Sequence, residues 1–365
     1  MDANLPSATL VPTMRDVAIA AGVHQTTVSR ALRNDPRITE AVRTQVREVA
    51  ERLGYRLNPL LSALGTLRRQ RASVRYQIAI AFITQAGFSG GHLAGVRAAA
   101  EQRGYKVDVF EIGPELSESR LNDILVARGI QGIILGPLPE AHGHFTLAWE
   151  HLSTVVIEYS FTEPAFDRVV TNSYETMNTV LRECRKRGYT RMGVALMQVV
   201  DDRNEGLLCA AYSLAKERDT GMASLNPLLI PKWDAKSFRA WFKREKPQVV
   251  ISSNFLLPHI EESLKAMKLR VADDVGLVNL NLLPTHQNYS GVCQDAPAIG
   301  AMAARLVIEK LNHNERGIPA ARMTVLTDGT WISGQTLKKG VARQKGKSHG
   351  GVNELVGYAS RSTPR

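Results

Sequence analysis

The chain has 365 residues, 44% of them hydrophobic, and 46 Lys and Arg stand against 35 Asp and Glu for a formal net charge of +11. That length accommodates a small head plus one large or two medium domains with ample core. No stretch approaches the roughly 18 apolar residues of a membrane span, and the opening MDANLPSATLVP lacks the basic start and apolar run of a signal peptide, so neither a membrane nor an exported protein is expected.

In chain order, residues 1–12 read as a flexible N-terminus and residues 13–57 as a helical head. Thr13 followed by Asp16 is a capping-box-like start for a first helix that carries Val17, Ala18 and Ala21 on one face, and Gly22 allows a sharp turn after it. A second helix is expected from Gln25 to Arg33. Its apolar side is Val28, Ala31 and Leu32, which leaves Gln25, Thr26, Ser29 and Arg30 outward, all able to hydrogen-bond to bases or phosphates. Thr39 caps a third helix with Val42, Val46, Val49 and Leu53 on one face, and Gly54 stands where a left-handed C-terminal cap is expected. Three such helices could be a plain bundle. Charge favours a helix-turn-helix reader of double-stranded DNA, because residues 1–75 hold 12 Arg, no Lys and 6 acidic residues, a formal +6 suited to neutralising phosphates.

Residues 58–76 read as a hinge helix and linker: Asn58 is a good N-cap, Pro59 suits the first helical position, and Leu60, Leu61, Ala63 and Leu64 make one apolar turn. About two turns of helix are marginal alone and call for a partner. From 77 to 340 short β-rich runs alternate with amphipathic helices, as in parallel α/β sheets. The strand candidates are Ile78–Ile83, Lys106–Glu111, Gly132–Leu135, Val155–Tyr159, Met192–Leu196, Val249–Ser252 and Val275–Leu280, with helices such as Leu93–Arg103, Ser117–Arg128, Tyr174–Arg187, His259–Met267 and Pro297–Asn312 between them. So long an alternation exceeds one typical sheet. Two lobes with a cleft at the carboxyl ends of the strands are expected, the chain crossing between them near 172, 290 and 323. Residues 341–365 read as a basic disordered tail. Residues 338–365 contribute another +6, so the long middle of the chain carries only −1. The tail lacks the Leu heptads of a further helical bundle, which argues against assembly beyond a dimer.

Cys184, Cys209 and Cys293 lie far apart without metal-ligand spacing and are expected as buried, reduced thiols. His142 and His144 form an H-x-H pair with no carboxylate or thiol nearby, so no metal site is expected, and with no dinucleotide or phosphate loop no cofactor is expected either.

The head resembles that of the lactose-repressor-type (LacI/GalR) family of bacterial regulators. The signature stands as Asp16-Val17-Ala18-Ile19-Ala20-Ala21-Gly22-Val23 and Thr27-Val28-Ser29-Arg30, and VVTNSYETMNTVLRECRKRGYTRMGVAL with PQVVISSNF…VADDVGLVNL is similar to middle segments of the family's periplasmic-binding-protein-like core. The resemblance implies Gln25, Thr26 and Arg30 as readers of major-groove base edges and His24, Thr27 and Ser29 near phosphates. Arg37 belongs to the same DNA-contacting set, and Leu64 is implied as a minor-groove wedge that bends the duplex. It further implies a cytoplasmic, nucleoid-associated homodimer on a pseudo-palindromic operator, repressing by default and controlled by a small-molecule effector in the cleft.

For the effector site the resemblance implies Phe88 and Ser89 as lining, and Arg203, in the family's R-x-x-G with Gly206, as a grip on hydroxyls or a carboxylate. Trp233 lies where related repressors offer an aromatic face, with core filling as the alternative. Two departures stand out. The usual S-N-D reads Ser253-Asn254-Phe255 and the usual G-[FY]-D reads Asn279-Leu280-Asn281, so two acceptor carboxylates are replaced at Phe255 and Asn281. An anionic effector such as a sugar acid, or one with an apolar or glycosidic face, is therefore expected over a plain neutral monosaccharide. Two other readings compete. Gly87-Phe88-Ser89-Gly90-Gly91 matches the G-x-S-x-G of hydrolases, although no oxyanion loop precedes it. A pure small-molecule binding protein is disfavoured by the basic head. The enzyme reading is set aside.

Overall fold

A computed structural model of the protein describes residues 14–32, 37–55, 78–85, 91–283 and 288–338. The chain divides into two compact units, Met1–Ile78 and Ala79–Arg365. Thr13, Arg33, the hinge residues with Leu64, the loop with Phe88 and Ser89, and the tail from 341 all lie outside the described residues.

In the first unit, α1 (Met14–Ala20), α2 (Gln25–Ala31) and α3 (Glu40–Arg52) close around Val17, Ala18, Ala21, Val28, Ala31, Val46, Val49 and Ala50. Gly22, at φ +64°, makes the turn between the first two helices, a backbone conformation that side chains with a Cβ disfavour. Gln45 ties α3 to that turn by donating to the Ala21 carbonyl at 3.1 Å. Thr39 occupies the N-cap of α3 but its side chain makes no capping bond, while Arg43 pairs with Glu40 in the first turn instead.

The second unit holds two six-stranded sheets. The first lobe contains β1 (Ile78–Gln85), β2 (Tyr105–Ile112), β3 (Gly132–Leu135), the short pair β4 (Gly143–His144) and β6 (Phe161–Glu163), β5 (Ser153–Ile157) and β7 (Asp167–Thr171). The second contains β8 (Met192–Met197), β9 (Leu228–Ile230), β10 (Val249–Ser252), β11 (Gly276–Leu282) and β12 (Ser290–Cys293). β13 (Thr324–Thr327) returns to the first sheet, ordered β13-β7-β5-β3-β1-β2, and β14 (Thr330–Ile332) to the second, ordered β14-β12-β11-β10-β8-β9. Their central strands pair parallel and are buried on both faces, which is why they read as nearly continuous Val/Ile/Leu runs.

Helices cover both faces. α4 (His92–Glu101) and α5 (Glu118–Arg128) belong to the first lobe, and α6 (Ser173–Lys186), α7 (Gln198–Asp202), α8 (Leu207–Arg218), α9 (Ala235–Glu245) and α10 (Leu257–Ala266) to the second. α11 (Ala296–Asn312) comes back to pack on α4, β3, β5 and β7. In the second sheet alternate residues go to opposite layers: Val194, Ile251 and Val278 meet α6 and α8, while Ala195, Val250 and Leu277 meet α9 and α10.

The chain passes between lobes at Asn172, at Gln294–Asp295 and at Asp328–Gly329, so the second and third crossings fall a few residues beyond the expected 290 and 323. β7 was absent from the sequence expectation. Its first two residues, Asp167 and Arg168, are charged yet buried, which hides a strand from a hydrophobic pattern. Lys310 of α11 donates to Asp167 Oδ2 at 2.6 Å and Met323 N donates to Oδ1 at 2.8 Å, so the buried charge is compensated on both oxygens.

Candidate DNA-reading surface and interlobe cavity

On the head, Val28 and Ala31 bury one side of α2 and thereby turn the other outward. Gln25, Thr26 and Arg30 are exposed, and Thr27 and Ser29 are half-buried beside them. Arg37 is exposed ahead of α3. His24 proves to be the N-cap of α2: its Nδ1 accepts from the Thr26 backbone N–H at 3.3 Å and lies 2.8 Å from Thr26 Oγ1. The cap therefore orients Thr26, a function that the spacing of S/T/D/N caps does not reveal for a histidine.

In the second unit a cavity of 450 Å³ opens between the lobes at the carboxyl ends of both sheets. From the first lobe it takes His92 at the start of α4, Pro137 after β3 and Glu158 after β5; from the second, Arg203, Asn254, Phe255, Leu280 and Asn281; and from the middle crossing, Gln294. Arg203, Phe255 and Asn281 are thus brought together. Trp233 is not among the lining residues. It lies half-buried against the α9–α10 layer, its ring 5.5 Å from that of Phe238 and stacked 5.5 Å from that of His259, which corrects the expectation that it faces the cleft. Phe255 stands at the mouth with 55% of its surface exposed.

Glu158 is the residue that the sequence reading missed. Its side chain is 17% exposed, its backbone is held at φ +65°, and its two carboxylate oxygens accept from Thr171 N at 3.1 Å and Thr171 Oγ1 at 2.8 Å. His92 Nε2 approaches Oε1 at 3.8 Å from the other side. A non-glycine residue in the left-handed region is retained where the surroundings fix it, commonly at a functional position. Burial lowers the Arg203 guanidinium from its usual pKa, and the charge of Glu158 acts in the opposite sense. The cavity consequently combines a cation and an anion, the anion coming from Glu158 and not from positions 255 and 281.

Three polar atoms around this space, His92 Nδ1, Ser253 Oγ and Asn254 Oδ1, are buried with no hydrogen-bond partner. Buried polar groups are nearly always satisfied by protein or water, so these three are available to whatever occupies the cavity.

An exposed helix face in one unit, and in the other a two-lobed parallel body with a polar cavity at its crossing point, are the arrangement of a DNA-binding transcription regulator. Residues 13–58 match the model of bacterial regulatory proteins, lacI family. The HTH-type transcriptional regulator KdgR of Bacillus subtilis (strain 168) is 22% identical, over 84% of this chain and 93% of its own length. The lac repressor dimer bound to operator and the anti-inducer ONPF shares the fold, with a TM-score of 0.56 at 17% identity over 90% of this chain and 99% of its own. A transcriptional regulator CelR–cellobiose complex does so as well, with a TM-score of 0.55 at 18% identity over 89% and 99%. No helix among the described residues is long and apolar enough to cross a membrane.

Proposed function

We propose that the protein is a cytoplasmic, nucleoid-associated repressor that binds a pseudo-palindromic operator as a homodimer and is controlled by a small molecule in the interlobe cavity. In this reading residues 13–57 are the DNA-binding head, 58–76 the hinge and linker, 77–340 the effector-binding and dimerisation core and 341–365 a basic tail. Gln25, Thr26 and Arg30 read bases, His24, Thr27, Ser29 and Arg37 contact the backbone, and Leu64 wedges the minor groove. The solved lac repressor dimer on its operator and the CelR complex with cellobiose support the same division of labour for this fold.

The observation that carries the effector reading is the cavity itself, with its partnerless His92, Ser253 and Asn254 atoms at the strand ends. A ligand that displaces water from these groups without pairing them would cost roughly 1 to 3 kcal/mol for each, so the cavity selects one that engages them. Arg203 suits a carboxylate, whose charge-assisted bonds are about twice as strong as neutral ones. Glu158, Asn254 and Asn281 suit hydroxyls. The ligand class is therefore a polyhydroxylated carboxylic acid, a sugar acid, seated with its carboxylate at Arg203 and its hydroxyls toward Glu158. Titration calorimetry of the full chain with sugar acids and with the corresponding neutral sugars tests this: the acids bind, and Arg203→Ala removes the preference. Binding of a neutral monosaccharide undiminished in Arg203→Ala contradicts it.

A further inference from the structure

Outside the cavity the lobes are joined by a cluster that involves no ligand. Arg168, in the strand that leads into the first crossing, has a side chain only 7% exposed and donates through Nη1 and Nη2 to Glu205 Oε1 and Oε2 at 2.6 and 3.1 Å. Its Nε donates to Thr324 Oγ1 at 3.2 Å, and its guanidinium carbon lies 4.5 Å from the centroid of the Tyr159 ring. The fork is thus fixed by β13 and by an aromatic face within its own lobe before it reaches across, and a preorganised guanidinium loses little freedom on pairing.

Glu205 belongs to the other lobe, in the turn between α7 and α8. That turn is tight: Glu205 N donates to Asp202 O at 3.0 Å and Gly206 N to Asp201 O at 2.9 Å, with Glu205 at φ +53° and Gly206 at φ +71°. A glutamate in the left-handed region needs a compensating contact, and its carboxylate finds one in Arg168. The same turn carries Arg203 into the cavity, and Asn204 between them accepts from Ser173 Oγ at 2.7 Å, one residue past the first crossing. Three successive residues therefore address the cavity, the start of α6 just past the crossing, and the opposite lobe.

We propose that the Arg168–Glu205 pair is an interlobe latch that holds the lobe angle seen here, and that the 203–206 turn transmits an occupant at Arg203 to that latch. The latch itself does not depend on the ligand class proposed above. Bidentate Arg–carboxylate pairs fix geometry. Loss of the Glu205 charge leaves the Arg168 guanidinium, 7% exposed, without its anion, which favours separation of the two surfaces so that water can reach it, and loss of Arg168 removes both cross-lobe bonds from Glu205, whose side chain is 33% exposed.

The test is a pulsed electron-resonance distance measurement on the full chain without ligand. Spin labels are placed at Val126 in α5 and Lys265 in α10, with Cys209 and Cys293 replaced by serine and the buried Cys184 retained, and labelled chains are diluted into unlabelled ones. The parent gives one narrow distance. Glu205→Gln, and independently Arg168→Met, shift it to a longer and broader distribution while the far-ultraviolet circular dichroism stays that of the parent. A distribution unchanged in Glu205→Gln, or one already broad in the parent, overturns the proposal.

Discussion

At the scale of single residues, the proposed function assigns its two recognition events to Arg30 and Arg203, which differ in what surrounds them. Arg30 is exposed near the end of α2, where it can take a bidentate grip on a guanine. Arg30→Ala is predicted to cost about 1 to 3 kcal/mol on the specific site with little change on random DNA, measured by equilibrium binding to both. Equal losses on the two DNAs would reduce Arg30 to a phosphate contact. Trp233 makes the opposite case. Its ring packs on Phe238 and His259, so Trp233→Ala is predicted to lower the unfolding free energy by up to about 3 kcal/mol while leaving ligand affinity in place; a variant of unchanged stability and lost affinity would return Trp233 to the pocket. Arg203, Phe255 and Asn281 were expected at the cavity through the resemblance alone, from their places in the R-x-x-G, S-N-D and G-[FY]-D segments. Glu158 was not legible, because the pattern carries the strand through to Tyr159 whereas it ends at Ile157, and only the positive φ and the bonds from Thr171 distinguish Glu158.

At the scale of elements, strands rich in Val and Ile announced themselves and Gly132–Leu135 and Val249–Ser252 fall where the pattern puts them. Elements stabilised by compensated charge did not. β7 opens on Asp167 and Arg168, and its place in the sheet depends on partners far off in sequence, Lys310 and Glu205. Asp167→Ala leaves the Lys310 ammonium, 7% exposed, with only the 3.4 Å contact to Glu315 and strips the Met323 N–H of its acceptor. The predicted cost is about 3 to 5 kcal/mol in denaturant unfolding, with amide exchange accelerated first along β13. A loss within 1 kcal/mol, roughly the size of a surface pair, would show that water reaches the ammonium. Helix packing supplies the second device. A Cβ added at Gly95 of α4 would lie 1.8 Å from the Pro297 carbonyl oxygen, and one added at Gly300 of α11 would lie 2.0 Å from that of His92. Backbone meets backbone there, which sets His92 on the cavity edge. Gly300→Ala is predicted to cost about 1 to 3 kcal/mol as the helices part, and to weaken ligand binding as well, seen by thermal melting and calorimetry on one preparation. A destabilised variant with full ligand affinity would separate helix spacing from the site.

At the scale of the molecule, charge is divided in a way that suits the proposed function, with basic ends and a nearly neutral middle. A ligand that spans both lobes can shift DNA affinity only by as much as its affinity differs between lobe angles. The cavity satisfies the geometric condition, since Arg203 and Glu158 come from opposite lobes and Glu158 holds Thr171, the last residue before the first crossing. The most direct test is fluorescence-anisotropy titration of the full chain onto an operator chosen by selection from random DNA, with and without the sugar acid that binds in calorimetry. The account predicts that the acid shifts operator affinity at least severalfold in the parent, by coupling of about 1 to 3 kcal/mol, and that Arg203→Ala abolishes the shift while binding the operator normally. Operator affinity indifferent to a ligand bound in the cavity would contradict it.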